Sequence, residues 1–129
     1  MTRPRTAPDR ELFGIIGKVP NASKVQREWN LFFKEKGMDA FMDKYPTTEE
    51  NLPERFSEMF HFDRRIYLVG HELGEAVNSL VDELDESAKT KGKVNLVFNI
   101  GGVLKGAYTE DYKYVEKVFA LLPSEEEAA

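Results

Sequence analysis

Arg65-Ile66-Tyr67-Leu68-Val69-Gly70 is a short apolar run closed by glycine, and apolar residues recur after it at helical intervals. The run reads as a buried strand that stops at Gly70. Leu73, Val77, Leu80, Val81, Leu84 and Ala88 then fall on one face, which predicts a long amphipathic helix ending near Gly92. A strand feeding a helix of that length is the building unit of a parallel sheet covered on its faces.

Two more such units lie upstream. Leu12-Phe13-Gly14-Ile15-Ile16-Gly17 is an apolar run ending in glycine, followed by Val25, Trp29, Phe32 and Phe33 at helical spacing and by Gly37 as a stop. Asn21 and Ser23 are candidate caps for that helix. Asp39 to Tyr45 alternates apolar and polar residues, as a strand with one wetter side would. Thr47 or Thr48 opens the next helix, which carries Leu52, Phe56, Met59 and Phe60, with Pro53 tolerated in its first turn. The aromatic residues Trp29, Phe32, Phe33, Phe56 and Phe60 read as helix faces packed on a sheet.

Downstream, Val94 to Phe98 and Val103 to Tyr108 flank Asn99-Ile100-Gly101-Gly102, which predicts a hairpin. Tyr112, Val115, Val118, Phe119 and Leu122 mark a last helix, stopped by Pro123. The fold class is therefore α/β: a three-layer sandwich with a mainly parallel mixed sheet, in the order strand-helix-strand-helix-strand-helix-hairpin-helix. One domain is expected over residues 11–122. Residues 1–10, with Arg3, Arg5 and Arg10, read as a basic tail, and residues 123–129, with Glu125, Glu126 and Glu127, as an acidic one.

Composition removes several classes of function. The chain has 129 residues, 41% of them hydrophobic and 32% charged, the balance of a globular domain. A net charge of −5 argues against a nucleic-acid partner. With no cysteine there is no disulfide framework and no thiolate metal site, which is compatible with a cytoplasmic protein. No apolar run reaches the ~18–20 residues that cross a bilayer, so no membrane partner is expected. Gly14-Ile15-Ile16-Gly17-Lys18 has the wrong spacing for a phosphate loop, and no G-x-G-x-x-G dinucleotide turn occurs. His71 and Glu75 would stand one helical turn apart, but two such groups are not a metal site; they read as a solvated first turn.

Three local patterns, in this order and spacing, resemble the substrate-binding domain of shikimate dehydrogenases over roughly Leu12 to Asp111. Phe13-Gly14-Ile15-Ile16-Gly17-Lys18-Val19-Pro20-Asn21-Ala22-Ser23-Lys24 is similar to the family's first strand and loop, written G-x-P-x-x-H-S-x-S-P. Val81-Asp82-Glu83-Leu84-Asp85-Glu86-Ser87-Ala88-Lys89-Thr90-Lys91-Gly92-Lys93-Val94-Asn95 resembles the D-E-L…A…G-A-V-N segment without a gap. Gly101-Gly102-Val103-Leu104-Lys105-Gly106-Ala107-Tyr108-Thr109-Glu110 resembles the hairpin that ends in G-x-N-T-D.

The resemblance implies that serine hydroxyls hold the carboxylate of shikimate, and that a lysine works on a ring hydroxyl while hydride leaves for NADP. Ser23 matches the first serine, and Val25 stands where the second belongs. Asn95 and Thr109 match ligand-contacting positions, whereas Glu110 replaces the aspartate and Tyr108 the asparagine of N-T-D. Substrate-binding candidates are thus Ser23, Asn95 and Thr109. Three of these positions also have local readings: Ser23 as a helix cap, Asn95 as a partner of nearby backbone, and Glu110 as a cap for the last helix.

The lysine motif, N-V-T-x-P-x-K, departs most. Counting back from Asn95 sets Leu68-Val69-Gly70-His71-Glu72-Leu73-Gly74 on it, so the lysine position is Gly74. No lysine lies between Lys44 and Lys89. His71 is a conceivable substitute base, since imidazole titrates near neutral pH. The sequence also stops some twenty residues after the hairpin, where the family would enter its Rossmann domain.

These departures lead to the expectation of a non-catalytic domain, a pseudoenzyme of the shikimate pathway of aromatic amino acid biosynthesis, with no resident cofactor and no metal. Its partner would be a shikimate-like small molecule. The alternatives are a self-associating interaction module, such as a homodimer, or the substrate half of an NADP-dependent enzyme that pairs with a separate nucleotide-binding partner.

Overall fold

A computed structural model describes residues 11–122, so the expected tails, 1–10 and 123–129, lie outside the described residues. The first half follows the periodicity. Strand β1 (Glu11–Ile16) leads to helix α1 (Ala22–Glu35), β2 (Ala40–Tyr45) to α2 (Leu52–His61), and then comes β3 (Arg64–Val69). Asn21, with φ 57°, is the residue before α1 and makes no side-chain cap bond; Ser23 lies inside the first turn and does not cap it either. Thr48 and Asn51 exchange backbone-to-side-chain bonds ahead of α2: the Thr48 N–H donates to the Asn51 amide oxygen at 2.7 Å, and the Asn51 N–H to the Thr48 hydroxyl at 3.4 Å.

After Gly70 the expected long helix does not form. Two short 3₁₀ turns (His71–Leu73 and Ala76–Ser79) replace it, followed by a two-residue strand β4 (Glu83–Leu84) and a one-and-a-half-turn helix α3 (Glu86–Lys91). The reason is a competing partner. The free edge of strand β6 (Val103–Ala107) takes up this backbone: Asp82 N–H donates to Leu104 O, Asp85 N–H to Gly106 O, and the Asp82 carboxylate accepts from Leu104 N–H. Asp85 then caps α3 by accepting from Ala88 N–H at 3.1 Å. Leu73, Val77 and Ala88 are still buried, so the apolar spacing marks core positions although the segment is not one helix.

Strand β5 (Leu96–Ile100) and β6 form the expected hairpin, with Ile100 opposite Val103 and the turn at Gly101 and Gly102. Both glycines have positive φ, 61° and 98°, which a two-residue hairpin turn requires. The last helix, α4 (Val115–Leu121), begins three residues later than expected, after Tyr114 and without a side-chain cap, so Glu110 does not cap it.

The six strands are ordered β2-β1-β3-β5-β6-β4. Neighbours are parallel except at β3/β5 and β5/β6, which makes β5 the one reversed strand. The sheet is thus mainly parallel and mixed, and each face has its own core. On one side Phe13, Ile15, Ile66, Leu68 and Phe98 meet Trp29 and Phe33 of α1 and Val118 of α4. The Trp29 indole N–H donates to Lys113 O at 3.0 Å and ties α1 to the approach of α4. On the other side Ile16, Tyr67, Val69 and Val97 meet Phe56 and Met59 of α2, with Leu73, Val77 and Ala88 beyond. Phe60 corrects the aromatic list: it is 54% exposed.

The outer strand β2 is tied to α1 by side chains. Met42 N–H donates to the Asn30 amide oxygen at 2.8 Å, and Met42 O accepts from the Asn30 and Gln26 amides at 3.1 Å each. Among the described residues no helix is long and apolar enough to cross a membrane.

Candidate functional site

One end of the sheet gathers the carboxyl ends of five strands and the amino end of β5. Ligands of open α/β sheets bind at such an end, because the loops leaving it diverge and expose backbone and polar side chains. Here it carries Gly17 and Lys18 after β1, Gly70 and His71 after β3, Lys93 and Asn95 before β5, and Tyr108 and Thr109 after β6. A cleft of about 50 Å³ opens there, lined by Val69, His71, Gly74, Lys93, Val94, Asn95, Tyr108 and Tyr112.

The three candidate ligand residues are not brought to one point. Asn95 and Thr109 are neighbours: the Asn95 amide donates to Thr109 O at 2.7 Å, and Thr109 N–H donates to the Asn95 amide oxygen at 3.1 Å. Asn95 is therefore a brace between the start of β5 and the exit of β6, the local reading of that residue. It keeps one N–H and one lone pair, and it lines the cleft. Ser23 is exposed, and its hydroxyl accepts from the Lys44 ammonium at 2.8 Å, with no bond to Asn95 or Thr109. Glu110 is exposed on the turn beyond Thr109.

Gly70 and Gly74, which the sequence resemblance sets on the threonine and lysine of the motif, have different surroundings. At Gly70 a Cβ would collide with the backbone nitrogen of Lys18 and stand 2.6 Å from the Glu72 carboxylate and 2.9 Å from the Gly17 carbonyl carbon. Gly70 N–H also donates to Ile16 O at 2.7 Å, so the loops after β1 and β3 touch, and only glycine fits between them. Glu72 fills the space above: its carboxylate accepts the Lys18 backbone N–H at 2.8 Å. At Gly74 a Cβ would stand 3.1 Å from Val94 O and 3.2 Å from the Lys93 Cβ, a tight fit that small shifts relieve.

Lys93 is the residue that sequence reasoning missed. It springs from the wall facing Gly74, and its ammonium lies 3.4 Å from each ring nitrogen of His71. Tyr108 lies beneath it, the ring centre 5.7 Å from the Lys93 ammonium and 5.2 Å from that of Lys91. Tyr112 completes the wall; burial raises its hydroxyl pKa, with Tyr108 and Glu72 adding to the rise. Only the spacing Lys93-Val94-Asn95 hinted at this, since two residues along an extended segment share a face.

No group of three or more His, Cys, Asp or Glu side chains that could hold a metal exists among the described residues. Nor does a glycine-rich turn there join a strand to a helix as a pyrophosphate cradle requires, so the described residues do not fit a dinucleotide, and no hydride step is assigned to them.

A mainly parallel sheet with helices on both faces and a polar cleft at its carboxyl end defines an open-sheet α/β domain. No family model matches the chain. It is 31% identical over 104 residues to the NADP(+) shikimate dehydrogenase of Alkaliphilus metalliredigens, a match that takes in 81% of this chain and 36% of that protein. In structure it is similar to a shikimate 5-dehydrogenase from Listeria monocytogenes solved with shikimate and NAD. The TM-score is 0.75 at 23% identity, over 94% of this chain and 42% of that one. A ligand-free 5-ketofructose reductase of Gluconobacter sp. strain CHM43 is similar as well, with a TM-score of 0.74 at 18% identity over 88% of this chain and 41% of the other. Over the part they share, the chain is homologous to shikimate dehydrogenases in sequence and structure, and it spans between a third and about two fifths of their length.

Proposed function

We propose that this chain is a substrate-binding domain of the shikimate dehydrogenase type that holds a small hydroxylated carboxylate and does not itself transfer hydride. One observation supports the reading: a polar cleft lies at the carboxyl end of the sheet, lined by Asn95, Tyr108, Tyr112 and Lys93, and the resemblance sets Gly74 at the family's lysine position. Asparagine and tyrosine groups suit ring hydroxyls, and an ammonium suits a carboxylate. Glycine 74 has no group to take a proton from a hydroxyl. The sequence match to a shikimate dehydrogenase supports the ligand class; the likeness to a ketofructose reductase shows that the fold alone would not choose it.

Calorimetric titration with shikimate and with quinate tests the proposal, alongside an absorbance assay for NADP reduction. Saturable heat with no NADPH formed is the expected result. Absence of binding to both acids would sink the ligand class. Turnover by this chain, alone or with an added nucleotide-binding domain, would sink the non-catalytic part.

A further inference from the structure

We propose that the Lys93–His71 corner is an anion subsite that takes the carboxylate of the bound ligand, so that the acid end of the ligand sits at Lys93 and away from the loop after β1. The inference deepens the function proposed above and rests on it for the identity of the ligand, not for the existence of the subsite.

Lys93 is held without being neutralised. Among the described residues no carboxylate forms an ion pair with it; the pairs there are Arg55 and Arg64 with Glu58, Arg65 with Glu11, and Lys89 with Glu86. Among the described residues its side-chain ammonium has a polar contact with the His71 imidazole, with both ring nitrogens at the same 3.4 Å, too long and too evenly placed for a well-directed hydrogen bond. Arg64 and Arg65 show what a committed cation looks like in this protein: each meets a carboxylate, at 3.1 and 2.6 Å. A carboxylate entering the cleft would give Lys93 the short charge-assisted bond it lacks. Asn95 keeps a second amide N–H for the other oxygen. The cleft is about 50 Å³, room for a carboxyl group and not for a whole ring, which would extend outward past Tyr108 and Tyr112.

The neighbouring loop contact sets the direction. Glu72 puts a carboxylate against the loop after β1 and uses the Lys18 N–H at 2.8 Å. The Glu72 carboxylate already stands against that loop, and a second anion beside it is disfavoured by like-charge repulsion. The positive Lys93 lines the cleft while the negative Glu72 lies outside its lining, so this end of the sheet is polarised and favours one orientation of a ligand with an acid at one end and hydroxyls at the other.

Formate is the probe, small enough for the cleft and independent of the ring. Carbon–proton NMR of the His71 ring in the full chain, with Lys93→Met and Lys91→Met as variants, reads the subsite. Lys91 lies over the same tyrosine but does not line the cleft. The expected result is a saturable shift of the His71 signals in the parent and in K91M, lost in K93M. A shift that survives in K93M, or none in the parent, overturns the subsite. Shikimate and its methyl ester are then titrated calorimetrically. K93M should weaken shikimate by about tenfold or more, and leave the neutral ester within about twofold. Equal losses for both would overturn the orientation. If the parent binds neither molecule while formate still saturates, the ring-acid function fails and the subsite stands.

Discussion

Two clusters of tyrosine and cation occupy this sheet, and they are built in opposite ways. Under α2, Arg64 lies 4.0 Å from the Tyr45 ring centre, donates to the Tyr67 hydroxyl at 2.9 Å and pairs with Glu58, which also holds Arg55. The Tyr67 hydroxyl donates onward to Arg55 O at 2.9 Å. Each member of that cluster has a committed partner, and Gly14 makes the room, since a Cβ there would strike both tyrosine rings. At the carboxyl end, Lys93, His71, Tyr108 and Tyr112 stand around an opening, with long contacts and no carboxylate pairing with the ammonium. The same residue chemistry serves packing where its charges are paired, with Arg64 Nε the only buried polar side-chain atom of Arg64 and Tyr67 left unbonded, and leaves capacity for a ligand where they are not.

Breaking the closed cluster should cost most. Arg64→Met removes a cation whose side chain is 12% exposed and strands Glu58 and Tyr67 in part, so a loss of about 3 kcal/mol in urea unfolding is expected. A loss under about 0.5 kcal/mol would mean that the cluster is no more committed than the open one.

Alkaline pH should act on the same place. Burial pushes the Tyr67 hydroxyl up to about 12 against an ordinary 10.0, with Arg64 opposing. An acid with a raised pKa in the folded state contributes stability that is fully present below pH 10 and is lost as pH rises towards about 12. The full shift corresponds to about 2–3 kcal/mol. Tyr67→Phe should flatten that part of the pH–stability curve, measured by urea midpoints in steps across the window. An unchanged slope would remove Tyr67 as its cause. At the small end, Lys93→Met should change stability by less than about 0.5 kcal/mol. A loss comparable to that of Arg64→Met would show Lys93 to be a packing residue and erase the contrast.

The sequence disclosed most where local and long-range preferences agree. The strands around Ile15 and Leu68 and the helices around Trp29 and Phe56 follow their apolar periods, and the Gly101-Gly102 hairpin follows its turn chemistry. It misled between His71 and Lys91, where spacing fits a helix and the winning partner, the edge of β6, is two elements away in the chain. Site residues divide the same way. Asn95 and Thr109 lie close together, as their motif positions implied, yet their mutual bonds are visible only in three dimensions. Lys93 escaped notice because a search along the chain for a lysine at position 74 cannot see one arriving from the facing wall.

The Asn30 and Gln26 amides on Met42 have a consequence for how this protein behaves in a crowd. A six-residue outer strand offers neighbours a row of unmet N–H and C=O groups, the template on which chains add strand to strand. Here both groups at the middle of that row are already occupied from within the molecule. Any would-be partner strand meets a plugged socket at its centre, with the charged Asp43 and Lys44 beside it. The amides thus close the middle of this edge to strand-on-strand addition, whatever the cleft binds.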